Sequence, residues 1–345
     1  MTTIRIWVYD GVMASGVAGP IDVFNAANHL HAREVTHTSS PSTLFAWRVE
    51  SLDGQPVRAA SGQSISVDGK IDSRHRADAI LVTAPFFSNM DEFISRREQL
   101  NALSSALRRQ RKTGAVLATY CTGNYLLAEA GLLDGRVATT HWAMAGDFAR
   151  RFPHVELRAQ EVLTGQDGIV SGGSVTSYLN LAVRLVEMFA GERLAAKTAK
   201  SLLIDMNRGS QASYATLLIE HGHADPLVAR AQQRMEATLQ QGFRLSELAD
   251  SLAVSDRTLS RRFKQALGLA PLAYLQNLRI EVAKQLLESR PIGLDSVSQR
   301  VGYDDISTFR QLFKRKTGLS PREYQMRFAR APMPDDMKDM SHSAS

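Results

Sequence analysis

Hydrophobic positions along the first part of the chain come in short apolar runs separated by longer stretches of helical spacing. Ile4 to Asp10 (IRIWVYD), Phe45 to Leu52, Ala79 to Thr83 and Ala115 to Tyr120 have the length and apolar content of buried strands. Between and after them, Pro20 to Leu30, Met90 to Arg111, Thr122 to Ala130, His141 to Arg151 and Ser174 to Phe189 carry apolar residues at helical intervals, as in Ile21, Val23, Phe24 and Ala27. Such alternation predicts right-handed βαβ units, a mainly parallel sheet and helices on both faces. Ligands in sheets of this kind sit at the carboxyl ends of the strands.

Beyond about residue 191 the strand pattern stops. Asp205 to Pro226 is rich in Gly, Ser and Asn and reads as a linker. From there every apolar pattern is helical: Val228 to Leu239, Ser246 to Leu252, Asp256 to Leu267, Leu272 to Ser289, Asp295 to Val301, Ile306 to Thr317 and Pro321 to Phe328. The expected organisation is an α/β domain over 1–200, a linker over 201–226, an all-α domain over 227–330 and a disordered polar tail over 331–345.

Charge sharpens this division. Residues 229–330 hold 18 Lys and Arg against 10 Asp and Glu, whereas the rest of the chain holds 23 against 25, so the whole excess of +6 lies in the helical part. A basic domain beside a near-neutral one points to an anionic partner such as nucleic acid. No apolar run is long enough to span a membrane, and the N-terminus lacks a signal-peptide layout, so a cytoplasmic protein without membrane contact is expected. The lone Cys121 cannot form an intrachain disulfide, which fits a reducing compartment.

The helical part contains an internal repeat. Phe263-Lys264, Gly268-Leu269, Pro271 and Tyr274 recur as Phe313-Lys314, Gly318-Leu319, Pro321 and Tyr324, offset by 50 residues. Each copy follows a short helix with a small residue (Ala249; Ser298), a tight turn (Ala253-Val254-Ser255; Gly302-Tyr303-Asp304) and a basic second helix. That is the helix-turn-helix layout, whose second helix enters the major groove. The repeated Gly suits a left-handed helix end and the following Pro the start of the next helix. Joined by one long helix, two such units would reach successive major-groove segments of double-stranded DNA.

With Phe-Lys-x-x-x-Gly-Leu-x-Pro-x-x-Tyr closing each unit, residues 228–328 resemble the DNA-binding domain of the AraC/XylS transcription regulators. By that resemblance Arg257, Ser260 and Arg261, and in the second unit Ile306, Ser307, Arg310 and Gln311, face the groove. Thr308 and the lysines that follow would contact phosphate. Arg can bridge guanine O6 and N7, Gln can bridge adenine, and Ile306 could meet only a thymine methyl.

In the first part, Ala118-Thr119-Tyr120-Cys121-Thr122-Gly123 places a cysteine where a strand turns into a helix. Such an elbow is strained and exposed, and the helix start favours a thiolate. Taken with LLAEAGLLDGRVATTHW, which contains His141 and Trp142, the region resembles the DJ-1/PfpI branch of the class I glutamine amidotransferase-like fold, and the whole chain resembles the GlxA-type transcriptional regulators. The resemblance implies a flavodoxin-like parallel sheet sandwich, a homodimer formed through this domain and a pocket at the elbow.

It also invites an enzymatic alternative, a cysteine-dependent amidase or hydrolase, and a redox alternative through Cys121 oxidation. Three substitutions oppose catalysis. Gly16 stands where enzymatic relatives carry an acid, Ala84-Pro85 replaces the Gly-Gly turn that supplies oxyanion amides, and Thr122 stands where peptidase members carry a histidine. A sensor is therefore expected: Cys121, Thr122 and Gly123, with His141, Trp142, Gly172, Gly173 and Ser174, would bind a small, nitrogenous effector, and Phe86, Phe87 and Trp142 would cover it. No catalytic residue, metal or cofactor is expected. Activation of transcription is the habit of the family.

Overall fold

A computed structural model describes residues 1–34, 43–72, 74–86, 90–206, 210–213, 225–289 and 292–329. The chain divides into two compact units, Met1–Gln211 and Ala212–Ser345. Phe87 and the tail 331–345 lie outside the described residues.

In chain order the first unit contains β1 (Thr2–Trp7), α1 (Ser15–Glu34), β2 (Phe45–Ser51), β3 (Val57–Arg58), β4 (Ser64–Ile65), β5 (Gly69–Lys70), β6 (Ala79–Val82), α2 (Met90–Ser95), α3 (Arg97–Lys112) and β7 (Val116–Tyr120). After a 3-10 turn at Cys121–Gly123 come α4 (Asn124–Glu129), β8 (Val137–Ala138), α5 (Ala145–Arg151), β9 (Glu156–Leu157), β10 (Leu163–Gln166), β11 (Ile169–Gly172), α6 (Ser177–Ala190) and α7 (Glu192–Ser201).

Seven strands form the main sheet in the order β10-β11-β7-β6-β1-β2-β5, parallel throughout except that β10 runs antiparallel to β11. The central strands are apolar because both faces are covered: every residue of β6 and the last four of β1 are buried. On α6, Tyr178, Leu181, Ala182, Leu185 and Val186 recur at helical intervals and are buried, and the helix packs on α1 and α7.

From β1 the chain moves outward to β2, then returns to place β6 on the other side of β1. The crevice expected at such a switch lies at the carboxyl ends of β1 and β6, next to β7 and its elbow. There Val12 and Pro85 form an isolated bridge.

Several boundaries differ from the sequence expectation. Helix α1 begins at Ser15, five residues before the expected Pro20, and carries Pro20 inside it. Gly16 and Gly19 permit this start. A Cβ on Gly16 would lie 1.7 Å from the Tyr120 hydroxyl, and one on Gly19 would lie 2.5 Å from the Tyr178 ring, so the first turns press closely on both tyrosines. The helix expected over Met90 to Arg111 is broken at Arg96, whose ψ of 57° is not helical. The helix expected from Ser174 starts at Ser177.

Strands β10 and β11 were absent from the apolar pattern because Leu163–Gln166 is half polar. Their signal is the Asp167-Gly168 pair, both at positive φ, which marks a two-residue hairpin turn. Part of the expected linker is also structured: Ser210 bridges Glu161, which ties this segment to the first unit.

The second unit contains α8 (Pro226–Ala237), α9 (Leu245–Ser251), α10 (Asp256–Leu267), α11 (Pro271–Ser289), α12 (Leu294–Arg300), α13 (Ile306–Thr317) and α14 (Pro321–Phe328). It has two small cores. Leu227, Val228, Leu259, Phe263 and Tyr274 centre the first; Val297, Val301, Phe309, Phe313 and Tyr324 centre the second. Helix α11 belongs to both, giving Leu275 and Leu278 to one and Ile280, Ala283 and Leu287 to the other.

Candidate ligand site and DNA interface

Strand pairing assembles the elbow. Tyr120 pairs with Gly172 and Thr119 with Val82, so Cys121, Gly173 and the Thr83–Pro85 turn emerge side by side. Cys121 has φ 53°, the strained left-handed conformation expected of an elbow. The Thr122 hydroxyl donates to the Pro85 carbonyl, and the Thr119 hydroxyl to the Val82 carbonyl. A Cβ on Gly123 would meet the Thr119 hydroxyl at 2.1 Å, so glycine is what allows the helix to start this close to the strand.

The exposed, ionised thiol expected here is not what the structure holds. Cys121 is only 5% exposed, and burial pushes its thiol up to about 11. His141, whose imidazole burial shifts down instead, uses Nδ1 to accept from the Ala143 amide, and among the described residues no hydrogen bond joins it to Cys121. The site of the missing acid is filled: the Tyr120 phenol occupies the space a side chain on Gly16 would need.

Sequence reasoning missed a buried polar network beneath the elbow. Thr140 Oγ1 donates to the Cys121 carbonyl at 3.1 Å, and Asn124 Nδ2 bridges the Cys121 and Gly172 carbonyls, both at 3.0 Å. Ser171 Oγ donates to Asn124 Oδ1 at 2.6 Å and meets the Thr139 carbonyl at 2.9 Å. Gln211 closes the network by donating from Nε2 to the Thr140 carbonyl at 2.8 Å. Local sequence could suggest Asn124, which follows the cysteine motif, and Thr140, which lies within the second quoted stretch; nothing local points to Gln211.

Of the expected ligand residues, Cys121, Thr122, Gly123, Gly172 and Gly173 are thus brought together and buried, while His141, Trp142 and Ser174 are half-buried beside them. Ser174 bonds to Ser177 through its amide and hydroxyl. Phe86, which follows the Pro85 carbonyl that accepts from Thr122, is 60% exposed, and its amide donates to the Gly11 carbonyl.

In the second unit α10 and α13 are the second helices of the two helix-turn-helix units. Each is oriented by its buried face, Leu259 and Phe263 in one and Phe309, Leu312 and Phe313 in the other. Ser255 caps α10 through the Thr258 amide, and Asp305 caps α13 through the Ser307 and Thr308 amides. Gly268 and Gly318 end them in the left-handed conformation, φ 69° and 78°.

Opposite the buried faces, Arg257, Arg261, Ser307, Thr308, Arg310 and Gln311 are exposed and Ser260 and Ile306 half-exposed. The Thr308 hydroxyl is engaged with Asp305 at 2.5 Å. Arg262, beside them, is directed elsewhere: it pairs with Asp225, the cap of α8, and this guanidinium holds the Asp225 carboxyl down at about 2.

This pairing of folds defines a class, a DNA-binding regulator whose first half is a parallel α/β sandwich. Residues 2–188 match the DJ-1/PfpI family and residues 248–327 a helix-turn-helix domain. The chain belongs to the DJ-1/PfpI family and is a transcriptional regulator of the AraC type. Among curated relatives, the HTH-type transcriptional regulator CdhR of Pseudomonas aeruginosa is 27% identical over 91% of this chain and 88% of its own length. GbdR of the same species is 26% identical over 99% and 91%, and ArgR 30% identical over 64% and 68%. Among solved structures, a protein of Vibrio parahaemolyticus matches 58% of this chain and 98% of its own at 16% identity and TM-score 0.50, and Drosophila melanogaster DJ-1beta matches 59% and 98% at 15% identity and TM-score 0.47. Among the described residues no helix is long and apolar enough to cross a membrane.

Proposed function

We propose that this regulator acts in the cytoplasm as a homodimer joined through its first unit, senses a small nitrogenous metabolite at the Cys121 elbow and activates transcription. DNA is contacted by α10 and α13: Arg257, Ser260, Arg261, Ile306, Ser307, Arg310 and Gln311 meet base edges, and Thr308 with the following lysines meets phosphate. The observation that carries this is one continuous helix, α11, shared by two cores that each orient a polar reading face. For the sensing half the support is the buried network of Asn124, Thr139, Thr140 and Ser171, which ties the Cys121 carbonyl to the Gly172 carbonyl at the ends of two neighbouring strands. His141, Trp142 and Ser174 would meet the effector from the rim, and Phe86 only from the solvent side.

Two measurements test this. On operator DNA selected from a random library, Arg257→Ala and Gln311→Ala should each cost about 1–3 kcal/mol and relax the preference at one position; a double variant that binds as tightly as the wild type refutes the assignment. A thermal-shift screen of amino acids, amines and quaternary ammonium compounds should find a stabilising ligand whose effect survives Cys121→Ser. Hydrolysis or redox response through Cys121 is disfavoured by its neutral, buried thiol.

A further inference from the structure

At the 50-residue offset Phe263 corresponds to Phe313 and Lys264 to Lys314, but Arg262 corresponds to Leu312. Leu312 is buried in the second core, so α13 is held at this position by apolar packing. Helix α10 is held at the same position by charge. Arg262 forks onto Asp225, with Nε 2.5 Å from Oδ2 and Nη2 2.5 Å from Oδ1. Asp225 is fixed from its other side: Oδ1 accepts from the Leu227 and Val228 amides at 2.9 and 3.2 Å, in the first turn of α8. Only 18% of its side chain is exposed. A two-bond fork defines an orientation as well as a distance, so this carboxylate ties the start of α8 to one side of α10.

That side has a definite relation to the reading residues. At 3.6 residues per turn, Arg262 stands roughly 150° around the helix from Arg257 and Ser260. Leu259 and Phe263 anchor one flank of α10 by burial, and the fork anchors the flank next to them. Apolar burial resists withdrawal of the helix but is non-directional; the fork adds resistance to rotation about the helix axis. A binding constellation must be held within about 0.5 Å and 10–20° of its productive geometry, so a roll of that size is enough to spoil a contact with a base edge.

We propose that Arg262 and Asp225 are positioning residues that set the roll of α10, and with it the base preference of the first helix-turn-helix unit, while neither touches DNA. In α13 the buried Leu312 takes their place. The proposal rests on Arg257, Ser260 and Arg261 being the reading face of α10. The competing role, Arg262 as one more phosphate contact, predicts the opposite sign for Asp225: removing the carboxylate would free a cation and strengthen binding to every sequence.

The full-length protein is compared with Asp225→Ser, Arg262→Lys, Arg262→Leu and the double variant Asp225→Ser/Arg262→Leu, on operator DNA selected with the wild type and on scrambled DNA. Serine keeps the cap of α8, and lysine keeps the charge but loses the fork. Each single variant should lower the ratio of operator to scrambled affinity about 10-fold, the size of one base contact. The flattened preference should fall on the base pairs that Arg257→Ala also flattens. The double variant should lose no more than the worse single one, because both substitutions remove the same interaction. A ratio within about 2-fold of the wild type in Asp225→Ser or Arg262→Lys, losses that add, or flattening spread over the whole operator overturns the proposal. If Arg262→Leu fails to fold, Asp225→Ser and Arg262→Lys decide the matter. If Arg257→Ala flattens no position, the assigned reading face is wrong, and the ratio in Asp225→Ser and Arg262→Lys still decides whether the fork positions α10.

Discussion

At the scale of single residues, the elbow has kept the geometry of a nucleophile site and lost its electrostatics. Cys121 takes the strained φ of 53°, yet its thiol is buried, hydrogen-bonded to no histidine and shifted up to about 11. Tyr120 completes the change: its phenol fills the space above Gly16, and its hydroxyl lies by the Ala84 amide without a well-formed hydrogen bond. A neutral thiol is a poor nucleophile, since the thiolate is the reacting species. Labelling of Cys121 by iodoacetamide in the native protein at pH 8 should therefore be far slower than in urea, and should accelerate as pH approaches 11. The linked effect on stability has a definite sign. In the unfolded chain the thiol ionises from about pH 8.5, whereas in the folded protein it stays protonated, so the contribution of Cys121 to stability is complete below about 8.5 and is lost as pH rises towards 11. Equal labelling rates in the native and unfolded protein at pH 8 would mean that the thiol is accessible and ionised after all.

Among elements, the two helix-turn-helix units show how far a sequence pattern carries. The repeat, the caps of α10 and α13 and their left-handed glycine ends are all local chemistry and could be read directly. So could the parallel sheet, because buried parallel strands are uninterrupted apolar runs. What escaped reading depended on partners distant in sequence. Helix α1 starts early because Gly16 and Gly19 admit Tyr120 and Tyr178; β10 looks polar because it edges the sheet; Gln211 joins the elbow from the end of the unit. The turn of each unit makes the same point. Ala253 and Gly302 both have positive φ, 56° and 76°. Only Gly302 is also crowded: a Cβ would lie 2.6 Å from Arg279 Nη2 and 2.6 Å from the Leu239 carbonyl. Arg279 is buried there, donating to the Leu239 and Gln241 carbonyls with its guanidinium 5.1 Å over the Tyr303 ring, so it binds the end of α8 to the turn of the second unit. Gly302→Ala should then cost about 2–4 kcal/mol in urea unfolding, from left-handed strain and overpacking together. Ala253→Gly, where strain is relieved but chain entropy is lost, should stay within about 1 kcal/mol of the wild type. Similar costs at the two turns would show that Arg279 does not clamp the second one.

For the whole molecule, the distribution of charge is the property that couples fold to function. The first half is nearly neutral and the excess resides in the reader, where Arg257, Arg261, Lys264, Arg310, Lys314, Arg315 and Arg322 are all exposed. Two kinds of contact are expected from this set, and they respond differently to salt. A cation that meets phosphate displaces condensed counterions, so each such contact adds about −0.9 to the slope of log affinity against log salt; about six contacts would give a slope near −5. A guanidinium that bridges a guanine edge adds discrimination instead. Lys264→Gln and Lys314→Gln, both in the last turns of the reading helices, should each reduce the slope by about 1 and weaken all sequences alike. Arg257→Ala should leave the slope nearly unchanged while flattening the preference at one base pair. Binding isotherms on operator and scrambled DNA from 50 to 300 mM potassium chloride separate the two. If Lys264→Gln altered base preference and Arg257→Ala altered only the slope, the reading face of α10 would have to be rotated about its axis, placing Lys264 in the groove and Arg257 on the backbone.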